Sequence, residues 1–238
     1  MSFDYLGLTE NLEQIESEQL VFRQVTVSDA WPLYLATRNP LFNSTVSWAQ
    51  PENHAEVVAR ITAISRATRR GQMSAISAVT RDTGALVSIF RFQAYKPDPS
   101  VLEMGIWTMD RYWHSKMSTE VTQACVDATF RLSDATVLLG AAEHHNRAAR
   151  KVLMNCGLTA HSDVVRKAEC GRIAYLTEFR ITRESWAARD REDAFTYMGD
   201  TGPELPINLL GDHISSAPSK PETVSSIVSD LVEARLRA

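Results

Sequence analysis

The sequence lacks most of the features that would take it out of the ordinary globular class. It has only three cysteines, Cys125, Cys156 and Cys170. An odd number without paired spacing argues against a disulfide framework and suits a reducing compartment. No Cys/His spacing fits zinc. The adjacent His144 and His145 make a poor ligand pair, so no metal is expected. No apolar run approaches the roughly 20 residues needed to cross a bilayer. The opening MSFDYLGLTENLEQ has no cationic segment followed by an apolar run, so it does not read as a signal peptide. Positive charge is not in excess either: the net charge is −4. Arg66, Arg69 and Arg70 form the densest cationic cluster and read as a solvated helix end. Nucleic acid and membrane are therefore not expected partners, and a soluble cytoplasmic protein is.

What is present is enough apolar material for a real core, 44% of 238 residues, with 23% charged. Residues 1–18 are polar and acidic and read as a loose lead-in. Leu20 to Val25 reads as a strand with Leu20, Phe22 and Gln24 on one face. Ser28 is placed to cap a helix from Asp29 to about Thr37, which Asn39-Pro40 breaks. Pro51 to Arg70 reads as a longer helix, with Val57, Ile61 and Ile64 at helical spacing and Gly71 as its stop. Met73–Val79 and Ala85–Ala94 form a hairpin around the turn Arg81-Asp82-Thr83-Gly84. After a loop at 95–99, Val101–Met109 is a third strand.

A polar loop, 111–118, then leads into a helix from Thr119 to Leu132. Thr136–Ala142 is a short apolar strand of the kind buried on both faces. Asn146–Cys156 is a helix closed by Gly157. Residues 162–168 and 173–182 make a last hairpin around Gly171. The order predicts a mixed α/β (α+β) domain over 19–187 around one central sheet. Residues 188–238 read as a polar, proline-bearing tail ending in an amphipathic helix, Val224–Leu236. That helix either packs on its own domain or makes a subunit contact, as in a homodimer.

The loop before the 119–132 helix carries the main chemical signal. A helix N-terminus presents unpaired N–H groups and the positive end of the dipole, which suits phosphate. Here Lys116 adds charge, and Ser115, Ser118 and Thr119 add hydroxyls. By composition alone an ordinary capped helix explains the loop better.

Four segments taken together say more. Glu18-Gln19-Leu20-Val21-Phe22-Arg23 looks like an opening strand, and Glu103-Met104-Gly105-Ile106-Trp107 looks like an E-I-G-Y strand. Tyr112-Trp113 through Ser118-Thr119-Glu120 stands where relatives carry Y-W-G-K-G-Y-A-T-E. Asn146-Arg147-Ala148-Ala149-Arg150-Lys151-Val152-Leu153, ending at Cys156-Gly157-Leu158, resembles N-x-x-S-R-x-V-L with its closing G-F. In order and spacing, the stretch from about Gln19 to Trp186 resembles the RimJ/RimL-like branch (ribosomal-protein-serine/alanine acetyltransferase-like) of the GNAT N-acetyltransferase superfamily.

The resemblance implies a mixed, mostly antiparallel central sheet flanked by helices, and transfer of an acetyl group from acetyl-CoA to a primary amine. It implies that the sheet splits between strands 101–109 and 136–142, with acetyl-CoA in the gap. Ile106, Trp107, Thr108 and Met109 would hold the thioester and pantetheine. Trp113, His114, Ser115, Lys116, Met117, Ser118 and Thr119 would wrap the pyrophosphate. Asn146, with Ala149 and Arg150 after it, would touch the pantetheine arm.

In the family the amine attacks directly after losing a proton. Glu103, the lone acid of an apolar strand, is the candidate base, with a structural carboxylate as the alternative. Tyr175 is a candidate proton donor, and His144 a further base candidate. Trp48 and Trp113 read as packing residues, and Cys156 as buried and inert. Leu33–Trp48 and Val164–Ile173 would wall the acceptor, and Arg166 and Lys167 hint at an anionic group on it.

Two departures bear on this. Lys116 stands where the loop's first glycine usually falls. Ala149 replaces a serine and its hydroxyl. They motivate one alternative, a non-catalytic binding protein on this fold; a separate alternative is a transferase using another acyl-CoA such as succinyl-CoA, which calls for a basic group near the acyl end. The acceptor, whether peptide N-terminus, amino acid or natural product, is not chosen by the sequence.

Overall fold

The structure is a computed structural model that describes residues 3–46, 48–95, 98–189 and 195–197. All of them belong to one compact unit, residues 1–205. The helix expected over Val224–Leu236 lies outside the described residues.

The chain runs α1 (Tyr5–Leu12), β1 (Ile15–Glu16), β2 (Leu20–Gln24), α2 (Ala30–Ala36), α3 (Pro40–Thr45), α4 (His54–Arg69), β3 (Ser74–Thr80), β4 (Leu86–Tyr95) and β5 (Asp98–Thr108). It continues with α5 (Met117–Leu132), β6 (Val137–Glu143), α6 (Arg147–Asn155), β7 (Thr159–Lys167), β8 (Ile173–Thr182), α7 (Arg183–Ala187) and β9 (Thr196–Tyr197). The strands form one sheet in the order β7-β8-β6-β5-β4-β3-β2-β1-β9. Every neighbouring pair is antiparallel except β5 and β6. Among the described residues no helix is long and apolar enough to cross a membrane.

Each face of the sheet has its own core. Phe22, Ile76, Phe90, Phe92, Leu102 and Leu138 pack against α1, α5 and α6. Ala75, Val79, Ile89 and Met109 pack against α2, α3 and α4 through Leu33, Phe42, Trp48, Val57 and Ile61. Helix α5 is buried over its whole middle, from Val121 to Phe130. Such a helix must satisfy any polar group it carries. Asp127 accepts from Gln123 Nε2, Trp186 Nε1 and Arg189 Nη2 at 3.0, 2.8 and 3.3 Å, so α7 is tied to α5 through a buried carboxylate.

Four sequence expectations need correction. The lead-in is not loose between Tyr5 and Glu16. Asp4 caps α1 by accepting from Gly7 N, and Leu8, Leu12 and Ile15 are fully buried. Their spacing is helical, but the acidic composition masked it. The cap before α2 is not Ser28: Thr26 N donates to Asp29 Oδ2, and a single 3-10 turn, Val27–Asp29, precedes the helix. Asn39-Pro40 does not only end a helix. Asn39 accepts from Leu41 N and starts α3, with Pro40 at the position where its missing N–H costs nothing. Pro51 lies outside α4, whose cap is Asn53.

Candidate active site

The parallel ladder between β5 and β6 is short. It pairs Val101 with Val137 and ends at Met104 with Gly140. Beyond that point β5 stays bonded to β4 as far as Thr108, and β6 stays bonded to β8 as far as Glu143. The two strands therefore part inside the sheet, and the β6-facing edge of Gly105, Ile106 and Trp107 is left without a strand partner. An unpaired edge is a row of peptide donors and acceptors open to a ligand. Further on the edge is partly used: Thr108 O accepts from Trp113 Nε1 at 3.0 Å, while on the β4 side Met109 N donates to Val87 O at 2.9 Å. At the vertex, a Cβ on Gly140 would meet Met104 Cε at 2.8 Å and Leu153 Cδ2 at 3.0 Å. The missing side chain lets α6 approach there.

The loop after β5 brings the start of α5 to the same side. Ser115 Oγ donates to Tyr112 O and accepts from Met117 N. The N–H groups and hydroxyls of Ser118 and Thr119 have no protein partner among the described residues. Glu120 anchors this end by accepting from Ser17 Oγ and Gln19 N. Lys116 sits at φ −73°, ψ −15°, an ordinary right-handed backbone, and its side chain is exposed. No glycine is required at that position. The left-handed residue of the loop is His114, at φ 61°, a residue type that tolerates the region better than most. A depression of about 590 Å³ also adjoins the start of α5, lined by Glu18, Gln19, Thr80–Thr83, Tyr112 and Met117. It lies on the β2–β3 side, away from the parting strands.

Asn146 opens α6. Its Oδ1 accepts from Ala149 N at 3.1 Å, and its amide Nδ2 has no partner among the described residues. Arg150 Nη1 reaches His144 O at 3.4 Å, and His144 Nε2 lies 3.1 Å from Asp163 Oδ1. The Thr177 hydroxyl, first, and then His144 hold the Asp163 carboxyl below its usual range.

On the sheet face that carries α2–α4, charged side chains gather beside the split. Glu103 on β5 is not isolated. Arg166 of β7 reaches across β8 and β6 to pair with Glu178 and Glu103, both at 2.5 Å. The short side chain of Ala141, which stands opposite Glu178 in the ladder, leaves room for that crossing. Gln93 Nε2 adds a 3.4 Å contact to Glu103.

Glu143, at the end of β6, is held by both terminal nitrogens of Arg172 at 2.6 Å, and Arg172 also reaches Ser44 O and Val46 O. That bond to Glu143, more than any other factor, raises the Arg172 pKa. The two segments expected to wall the acceptor thus meet through Arg172. Above them Trp48 stacks on Trp107 at 4.7 Å and 18°, with Arg60 over Trp48 at 4.2 Å. Arg60 also pairs with Glu169 at 3.2 Å.

The split, the free start of α5 and the capped α6 come together in one arrangement. Residues 19–159 match the acetyltransferase (GNAT) domain family. The chain belongs to the GNAT acetyltransferase family. No curated protein matches its sequence. Solved structures match its fold. The ribosomal-protein-S5-alanine acetyltransferase of Vibrio fischeri is 14% identical with a TM-score of 0.58, over 72% of this chain and 97% of that one. The ribosomal L7/L12 α-N-protein acetyltransferase RimL, in complex with coenzyme A, is 16% identical with a TM-score of 0.60, over 70% and 95%. The microcin C7 self-immunity acetyltransferase MccE, in complex with acetyl-CoA and AMP, is 13% identical with a TM-score of 0.60, over 69% and 93%. At these identities the likeness is one of fold.

In this GNAT domain most of the residues singled out from sequence converge. Ile106 to Met109, Trp113 to Thr119, and Asn146 with Ala149 and Arg150 border the split or the two helix starts beside it. Tyr175 does not join Glu103. Strand parity puts it on the face of β8 opposite Glu178, beside Thr177, and its side chain is 61% exposed. Trp48 is buried and Trp113 half-buried against Phe42, so both pack. Cys156 is fully buried, with its Sγ on Thr119 O. Missed from sequence are Arg91 and Glu178, and the pairing of Arg172 with Glu143. The Arg166–Glu178 and Arg172–Glu143 pairs join residues far apart in the chain, and no local pattern marks them.

Proposed function

We propose that the chain is an acetyl-CoA-dependent N-acetyltransferase that passes the acetyl group directly to a primary amine. The observation that carries this reading is the end of the β5–β6 ladder at Met104 and Gly140. It frees the edge of Gly105–Trp107 next to the unsatisfied N–H groups of Ser118 and Thr119. The strand edge suits the amides of a pantetheine arm and a thioester carbonyl. The helix start, with Lys116, suits the pyrophosphate. Asn146 Nδ2 is the further donor for the arm. The RimL and MccE structures were solved with coenzyme A and acetyl-CoA, which supports the same ligand here.

In this reading the edge N–H groups hold and polarise the thioester carbonyl. Glu103, reached through water, takes the proton that the attacking amine gives up. Arg166 fixes the Glu103 carboxylate and so sets its direction. The bond formed is nitrogen to acyl carbon, the bond broken is acyl carbon to sulfur, and the departing thiolate takes its proton from solvent. Tyr175 is given no part in this step, because it lies on the other face. A covalent acyl-enzyme is not invoked. Cys156 and Cys125 are fully buried, and burial pushes the Cys125 thiol well up.

The reading is tested by calorimetric titration with acetyl-CoA, on the wild type and on Asn146→Ala, followed by a CoA-release assay with amines. We expect micromolar binding that the substitution weakens, and amine-dependent release. Absence of heat with acetyl-CoA and with succinyl-CoA would sink it in favour of a non-catalytic relative.

A further inference from the structure

Three arginines beside the split have carboxylate partners: Arg60 with Glu169, Arg166 with Glu103 and Glu178, and Arg172 with Glu143. Arg91 does not. Among the described residues its guanidinium makes no hydrogen bond and no ion pair, and its one charge contact is with the Trp107 ring, 5.4 Å from the centroid. It is half-buried, and burial pulls its pKa down. Glu103 and Glu169 offset this at longer range, and Arg60 adds to it. A guanidinium stays charged in such a place, and its fork of donors, unused by the described residues, is open to an anion.

The position of Arg91 is informative. It stands opposite Gly105 in the β4–β5 ladder. A Cβ on Gly105 would come within 3.1 Å of Arg91 Nε and 3.5 Å of its Cγ. The stem therefore lies across β5 where there is no side chain to block it. Gly105 is also the first residue beyond the last β5–β6 pair. The same stack holds a second unused donor: the buried Trp48 indole N–H has no partner among the described residues, and Trp48 lies on Trp107.

We propose that Arg91 binds a carboxylate on the acceptor, so that the acceptor is a small amino acid rather than a protein N-terminus. This rests on the transferase reading above. Gly105 begins the edge assigned to the thioester, and Ile106 and Trp107 follow it within roughly 3–7 Å along the strand. That distance suits an amine and a carboxylate separated by a few bonds, as in an α-amino acid. A protein N-terminus has no backbone carboxylate so near its amine. The guanidinium fork matches a carboxylate with two parallel N–H bonds.

The test uses the full chain, acetyl-CoA, and the common α-amino acids, each as free acid and as its carboxamide. Free acids are expected to turn over with a lower KM than their amides. Arg91→Gln should raise KM for the free acid about 10- to 100-fold, the range of a lost hydrogen bond between charged groups. It should leave KM for the amide and for acetyl-CoA unchanged, and Arg91→Lys should recover part of the loss. A thermal melt of each variant separates this from misfolding. Equal use of acids and amides, an equal loss for both in Arg91→Gln, or turnover of peptides but of no amino acid would each overturn the assignment and leave the transferase standing. Failure to bind acetyl-CoA would remove the transferase reading and the assignment with it.

Discussion

Arg166 ties β7 and β8 to β5 beside the point where the β5–β6 ladder ends, and replacing it tests how the split is held. It lies between Glu103, whose side chain is 19% exposed, and Glu178, at 9%, while Arg166 itself is 38% exposed. Removing one partner of a fully buried pair costs about 3–5 kcal/mol, and an exposed pair contributes about 0–1. With the cation partly in water and both carboxylates mostly out of it, Arg166→Met should cost about 2 kcal/mol. Methionine keeps most of the apolar stem, so the loss comes from charge more than from packing. For a domain of this size that is a fall in Tm of about 4–8 °C. The diagnostic comparison is the charge-free triple variant Glu103→Gln, Arg166→Met, Glu178→Gln. No carboxylate is stranded there, so it should be more stable than Arg166→Met alone. Differential scanning calorimetry of the double-mutant cycle should give a Glu103–Arg166 coupling of about 1–2 kcal/mol. A single variant that melts with the wild type, or two losses that simply add, would refute the idea that this bridge holds the strands.

Other outcomes follow from the same geometry. Leu12→Ala should cost about 2–5 kcal/mol, read by urea unfolding, because Leu12 of α1 is fully buried. A change within 0.5 kcal/mol would return residues 1–18 to a loose lead-in. His114→Gly should stabilise by about 0.5–1 kcal/mol by removing a side chain from a left-handed backbone, whereas Lys116→Gly should not stabilise, since Lys116 is right-handed. Thiol labelling of the native protein should modify exposed Cys170 rapidly and leave Cys125 and Cys156 untouched until denaturant is added. The Asp163 carboxyl should titrate below the usual range by NMR, and Thr177→Val should move it up. Since its folded pKa is depressed, whatever stability it gives is present above its unfolded pKa and is lost as pH falls through the folded value.

The elements of the fold were legible because most of them are written locally. Asn146 before an apolar-periodic run and Gly157 after it define α6, and Arg81–Gly84 defines the β3–β4 turn. α1 is equally local, with Tyr5, Leu8 and Leu12 at helical spacing behind Asp4, but the acidic composition around it masks the periodicity. The split is different. Whether β5 and β6 part after Met104 and Gly140 depends on pairing between strands that a long helix separates, and only the family resemblance announced it.

The candidate site divides along the same line. Its main-chain parts, the strand edge and the helix starts, follow from where elements begin and end, so sequence located them. Its side-chain parts depend on which arginine meets which glutamate across the sheet. Arg166 was singled out for an anionic acceptor, but it is engaged by Glu103 and Glu178. Arg91, in a strand that reads as apolar apart from that residue, Ser88 and Gln93, has no hydrogen-bonding partner among the described residues. Sequence could show that a lone arginine lay in β4. Only the glycine facing it at position 105 shows where that charge can go.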